Sequence, residues 1–165
     1  MASQFIHITL PDGTRKQVPA GCTVREALTP EGGRLDAKVL AAKINGEPRD
    51  LSCPLEQDAT IEPLTFESAE GREVYRHSST HIMAQAVKEV FPTAQLTIGP
   101  ALDDGFYYDF AFDRPFTPED LEKIEARAIE IMKRGLTVTR SELSKQDAIK
   151  FFQERGEGYK VELIN

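Results

Sequence analysis

Apolar and polar positions alternate with a period of two near the start of the chain and with a period near 3.6 further along. In Phe5-Ile6-His7-Ile8-Thr9-Leu10, Ile6, Ile8 and Leu10 share one face of a strand, and Phe5 and His7 the other. Pro11-Asp12-Gly13-Thr14 reads as a turn, because glycine accepts positive φ without a Cβ clash. Lys16-Gln17-Val18-Pro19 returns as a second strand. Thr23 is placed to cap a short helix through Val24, Ala27 and Leu28. After Pro30 and Gly32-Gly33, Val39 to Ile44 is a strand, Asn45-Gly46 a hairpin turn and Arg49-Asp50-Leu51 the return. Ala59 to Leu64 closes the set. Two hairpin-like units around one helix predict a small α+β roll over residues 1–65.

The pattern then changes. Residues 66–70 read as a connection, and a helix is expected from about Glu70 to Phe91, ended by Pro92. Leu96-Thr97-Ile98 is a short predicted strand and Asp103-Asp104-Gly105 a turn. Phe106 to Phe112 is a predicted strand with Phe106, Tyr108, Phe110 and Phe112 on one face. Thr117-Pro118-Glu119-Asp120 opens a helix, with a capping threonine, proline at the first position and acids in the first turn. Its apolar stripe is Leu121, Ile124, Ala128, Ile131 and Met132, and Gly135 ends it. Leu136 to Thr139 is a predicted strand, and Ser144 caps a last helix over Ala148, Phe151 and Phe152. Tyr159 to Ile164 is read as a closing strand. The expected class is α+β, with modules at 1–65 and 70–165.

Charge limits the partners. The net charge is −7 over 165 residues. Residues 1–65 carry 7 basic and 9 acidic side chains, and residues 66–165 carry 13 and 18, so the two parts stand at −2 and −5. Neither offers the general basic face of a protein that grips nucleic acid unaided. Cys22 and Cys53 form no CxxC pair and read as reduced thiols. No apolar run approaches membrane-spanning length, and Met1-Ala2-Ser3-Gln4-Phe5-Ile6 lacks the form of a secretory signal. A cytoplasmic protein is expected.

The chemistry concentrates at Arg76-His77-Ser78-Ser79-Thr80-His81. Two of the three histidines stand four residues apart, which makes their imidazoles neighbours on a helix surface. His77, Ser78, His81 and Gln85 form a polar stripe, while Ile82, Met83, Ala86, Val87 and Val90 supply packing on the other side. On spacing alone the pair fits either two hydrogen-bonded structural histidines or the wall of a pocket. A catalytic zinc normally takes three protein ligands. No Cys or His follows His81, so His77 and His81 make at most half of a metal site. Phe106, Phe110 and Phe112 read as core, with Tyr108 and Asp109 as candidates for a pocket wall. Lys160, by position alone, reads as a solvated charge. The chain holds no GxxxxGK[ST] or GxGxxG phosphate loop and no GxSxG elbow.

Residues 5–65, with Ile8-Thr9-Leu10-Pro11-Asp12-Gly13-Thr14 and Ala41-Ala42-Lys43-Ile44-Asn45-Gly46, resemble a TGS domain, a ubiquitin-like β-grasp module. Residues 70–164 resemble the editing domain shared by threonyl- and alanyl-tRNA synthetases. The motifs are His77-Ser78-Ser79-Thr80-His81, Ile98-Gly99-Pro100, Gly105-Phe106-Tyr107-Tyr108-Asp109 and Gly158-Tyr159-Lys160-Val161. This order is that of bacterial threonyl-tRNA synthetases. The resemblance implies hydrolysis of serine mischarged onto tRNA(Thr), with His77, His81 and Lys160 catalytic and Gly99 and Tyr108 binding substrate. It implies threonine–tRNA ligation with ATP in the whole protein, which would be a homodimer. ATP, magnesium and zinc are expected only in a catalytic core outside these residues. The family's Cys-x-x-x-His pair is likewise absent here, so the chain reads as an N-terminal piece, inactive or weakly active alone. The competing reading is a non-catalytic TGS-type docking module with an incomplete editing fold.

Overall fold

The alternation in Phe5–Thr9 becomes β1, the second strand of a five-stranded sheet in the computed structural model, which describes residues 4–165. Ile6 and Ile8 of β1 are buried and Phe5 and His7 exposed, the faces that the pattern predicts. The other elements of this part are β2 (Arg15–Pro19), α1 (Val24–Leu28), β3 (Val39–Ile44), β4 (Glu47–Arg49) and β5 (Ala59–Thr65). The sheet order is β2-β1-β5-β3-β4. Only β1 and β5 are parallel, and their pairing joins the two hairpins into one mixed sheet. Between β3 and β4, Asn45 and Gly46 both take positive φ, at 51° and 87°. Such a turn matches the twist of its flanking strands. Thr23 caps α1 in a full capping box with Glu26. One face of the sheet then packs on α1: Ile6, Ile8, Ala42 and Ile61 meet Val24 and Ala27, with Leu51 and Leu55 from the loop. Met1, Ala2 and Ser3, the start of the expected 1–65 module, lie outside the described residues.

The chain divides into two compact units, one through Tyr75 and one from Arg76 to Asn165. The division falls within α2 (Ala69–Val90), a helix of 22 residues. At its start the Ser68 hydroxyl accepts from the Gly71 N–H at 3.1 Å. A Cβ on Gly71 would lie 1.8 Å from the Thr65 carbonyl oxygen, so no side chain fits at that position.

In the second unit, β6 (Gln95–Leu96) pairs antiparallel with β7 (Phe110–Ala111). They are followed by α3 (Pro118–Lys133), α4 (Lys145–Gln153) and α5 (Gly158–Ile164). Thr117 and Asp120 form a second capping box, with Pro118 in the first turn, as the sequence predicts. Its core joins Ala86 and Val87 of α2, Ala94, and Ile124 and Ile131 of α3. Phe91, Phe110, Phe112 and Phe116 pack against it as an aromatic cluster.

Five predicted strands are corrected here. The return of the second hairpin is Glu47–Arg49, directly after the Asn45-Gly46 turn, and not Arg49-Asp50-Leu51, and the strand expected at Leu96-Thr97-Ile98 is Gln95–Leu96. The run 106–112 is strand only at Phe110–Ala111, because residues 97–109 form an irregular ribbon. Its pairs are the Thr97 and Asp109 backbones and an isolated bridge from Ala101 to Phe106. Residues 136–139 form no strand. Residues 159–164 are helix α5, because the Lys160 and Val161 N–H groups both turn back onto the Glu157 carbonyl.

Candidate active site around the histidine pair

α2 carries the histidines at mid-helix, with Thr80 as their anchor. Thr80 is 1 % exposed, and its hydroxyl donates to the His77 carbonyl at 2.7 Å, so no polar group is left orphaned beneath the pair. His77 and His81 both stand on the exposed side. Their Nε2 atoms are 3.0 Å apart, and the rings meet edge to face with centroids 4.7 Å apart. A hydrogen bond between two such nitrogens needs one N–H and one lone pair, so the facing atoms share a single proton.

Lys160 reaches this region from α5. Its ammonium donates to the Thr97 carbonyl at 2.8 Å and lies 5.9 Å from the centre of the Tyr108 ring. Lys160 is therefore half-buried and engaged, which corrects its position-based reading as a solvated surface charge. Partial burial, then the charges of His77 and Lys160, hold the His81 imidazole below its ordinary pKa. His81 is therefore biased toward the neutral form, which can accept a proton.

Tyr108 stacks on Phe110 with ring centroids 4.7 Å apart, so the aromatic cluster fixes its plane. Gly99 lies beneath that ring. A Cβ there would come within 2.1 Å of the ring, so this position must be glycine for Tyr108 to lie where it does. Asp109 contributes its backbone, receiving the Thr97 hydroxyl at 2.6 Å, while its side chain is exposed. His77 and His81, Lys160 and Tyr108, and Tyr108 and Gly99 are thus linked pairwise within one unit. Among the described residues, no three His, Cys, Asp or Glu side chains come together as a metal-binding group. The pattern did not single out Thr97, whose carbonyl anchors Lys160. Its adjacency to Ile98-Gly99-Pro100 was the available signal.

Comparison with known proteins matches this sequence to a lineage. Residues 6–65 match the TGS domain family. Over 163 residues the chain is 53 % identical to the threonine–tRNA ligase of Symbiobacterium thermophilum, covering 99 % of this chain and 25 % of that protein. This chain is a relative of threonine–tRNA ligases. The enzyme of Citrifermentans bemidjiense is 50 % identical over 159 residues, covering 96 % of this chain and 25 % of that protein. The enzyme of Acetivibrio thermocellus is 48 % identical over 160 residues, covering 97 % and 25 %. The chain spans about a quarter of the length of the ligases it matches. Both the TGS resemblance of residues 5–65 and the ligase resemblance of the whole chain are borne out.

Proposed function

We propose that this chain is the proofreading part of a threonine–tRNA ligase, with the His77–His81–Lys160 group hydrolysing serine esters of tRNA(Thr). The observation that carries the reading is that, within one unit, a proton-sharing histidine pair lies within reach of the Lys160 charge, whose ammonium is anchored beside the Tyr108 ring. The need for such a site follows from the substrates. Serine lacks one methyl group of threonine, and one such group is worth only ~1–3 kcal/mol, or about 10–200-fold discrimination. A synthetic pocket cannot reject the smaller amino acid on that difference, so a second, hydrolytic site restores accuracy.

The chemistry is water attack on an ester. His77 orients a water and takes its proton as the oxygen bonds to the acyl carbon. Negative charge then collects on the former carbonyl oxygen, where the Lys160 ammonium, with two N–H groups beyond the one held by Thr97, stabilises it. The acyl C–O bond breaks, the proton passes to the leaving ribose oxygen, and free serine departs. His81 passes or holds the shared proton, a role suited to an imidazole kept neutral at pH 7. Tyr108 walls the pocket, and Gly99 keeps it open. ATP, the threonine-activating machinery and dimerisation belong to the parts of the ligase beyond these residues. The ligase acts in the cytoplasm on tRNA(Thr).

The test is deacylation of Ser-tRNA(Thr) by a threonine–tRNA ligase containing this region. His77→Ala should slow it by about 10²–10⁴-fold, the usual contribution of a positioned acid–base group, with threonine ligation retained. Unchanged serine clearance would sink the role given to His77. The docking-module reading draws on the acidic balance of −7. It is separated by assaying the 165-residue chain itself, since ester hydrolysis above buffer defeats it.

A further inference from the structure

Lys88 and Glu157 entered none of the chemistry above, yet together they join the three segments that set the position of Lys160. Lys88 stands in the last turn of α2. Its ammonium contacts the Pro92 carbonyl at 3.2 Å, the Ala94 carbonyl at 3.0 Å and the Glu157 carboxylate at 3.1 Å. Those contacts use all three of its N–H donors. Ala94 immediately precedes β6, and Thr97, whose carbonyl holds the Lys160 ammonium, immediately follows it. Glu157 immediately precedes α5, and its backbone carbonyl receives the Lys160 N–H at 3.1 Å. One ammonium therefore fixes both the segment that carries the acceptor for Lys160 and the helix that carries Lys160 itself.

The burial of the pair makes this contact costly to break. The Glu157 side chain is 12 % exposed, and its Oε2 is buried without a hydrogen-bond partner among the described residues. Among the described residues, Lys88 is thus the one ion-pair partner of a nearly buried carboxylate. Removing one partner of such a pair strands a charge, whereas replacing both with neutral groups is far better tolerated.

We propose that the Lys88–Glu157 ion pair is the positioning element for the Lys160 ammonium. It rests on the reading of Lys160 as the charge-stabilising group, but its test contains no tRNA, so the two fail separately. Lys160 acts on the reacting ester, while Lys88 and Glu157 act only through it.

The test uses the 165-residue chain and reads two quantities for each variant. One is the melting temperature. The other is the NMR shift of the Lys160 ε-methylene protons, which the Tyr108 ring displaces and which Tyr108→Leu identifies. Lys88→Arg keeps the charge and should retain the displacement. Lys88→Met should lose more than half of it and lower the melting temperature. The Lys88→Met/Glu157→Gln double variant decides the matter. It should recover at least half of the lost melting temperature, since no buried charge is stranded, while the Lys160 protons stay displaced from their native shift. Recovery of both together would reduce the pair to a stabilising contact and overturn the proposal. So would a native Lys160 shift in Lys88→Met. Loss of the Lys160 shift as expected here, combined with unimpaired serine clearance in Lys160→Ala, would overturn the proofreading role of Lys160 and leave the strut standing.

Discussion

Ile8, Val24, Ala42 and Ile61 of the TGS domain are buried together between one sheet and one helix. The titratable groups packed against their cluster are the thiols of Cys22 and Cys53, with no buried carboxylate, imidazole or ammonium beside them among the described residues. The second unit has fewer wholly buried apolar side chains, Ala84, Ala86, Val87, Ala94, Ile124 and Ile131, and it also buries polar groups. Thr80 is 1 % exposed and Asp120 3 %. It also leaves Leu121, Met132, Leu136, Val138 and Leu143 in solvent, where the described residues of the first unit leave Phe5, Phe66 and Tyr75. The difference is one of purpose. A strand-and-helix sandwich with strict alternation needs only apolar packing to be unique. A unit that must hold an imidazole pair and an ammonium in place uses hydrogen bonds and ion pairs for the same end, and these depend on pH.

The largest effect that tests this contrast is on the cores. Ile8→Ala deletes a side chain with no exposed surface and should cost about 2–5 kcal/mol, in the upper part of that range because the sheet cannot collapse into the void. Ile131→Ala, 4 % exposed beside the aromatic cluster, should fall in the lower part, since neighbouring side chains can move in. Denaturant melts of the two variants measure this. Equal costs would show that the second core is as rigid as the first.

Next in size is Gly99→Ala, which should separate site from fold. The added Cβ must displace the Tyr108 ring, which lies outside the buried core cluster and which the proposal places at the pocket wall. Misplacement of a positioned group by about 1 Å can cost about 10²-fold in rate, so serine-ester hydrolysis should fall by about that factor. The melting temperature should change little. A large loss of stability with the rate preserved would put Tyr108 in the core and remove it from the site.

Acid should weaken the second unit through two groups. His81 has its pKa lowered in the folded chain, so the unfolded chain binds the proton more readily. Its penalty is absent above the ordinary histidine value of about 6.5, grows as pH falls through it, and levels off below the folded value. The Arg114 guanidinium and the Thr117 N–H hold the Asp120 carboxyl well below the usual range. Its stabilisation is full above the ordinary carboxylate value of about 3.9 and is lost as pH falls through the folded value. Melting curves of His81→Gln should therefore lose less stability than the parent chain between pH 7 and 5, and those of Asp120→Asn should flatten below pH 4. Identical pH profiles for the parent chain and both variants would remove the polar groups from the account of this unit.

The sequence reveals most of the first unit because its elements carry period-two burial, as β1, β2 and much of β5 do, or a turn or cap. Asn45-Gly46 and Thr23 are examples. It reveals the helices of the second unit for the same reason, through Thr117 and Ser144. It misplaces the strands there. Tyr159, Val161 and Leu163 alternate like a strand, but so short a run does not tell helix from strand, and the backbone hydrogen bonds to Glu157 decide for the helix. That correction matters to the site, because α5 is what brings Lys160 to the Thr97 carbonyl. The His77–His81 contact was legible from a spacing of four. The anchoring of Lys160 was not, since it joins residues 63 positions apart.

The smallest effect compares the two units on one shared device. Thr23 and Thr117 each close a full capping box, with Glu26 and Asp120 as the answering carboxylates. Replacing either threonine with alanine leaves an N–H of the first turn without its acceptor, at a typical cost of about 1 kcal/mol. The answering carboxylates differ in burial. Glu26 is exposed and water can take over its bonds, whereas Asp120 is buried and held by Arg114 as well as by Thr117. Thr117→Ala should therefore cost somewhat more than Thr23→Ala in matched melts, and the gap should narrow only as pH falls well below the usual carboxylate range, toward the folded-state value of Asp120. A larger cost at Thr23 would mean that capping, unlike the cores, obeys local rules alone.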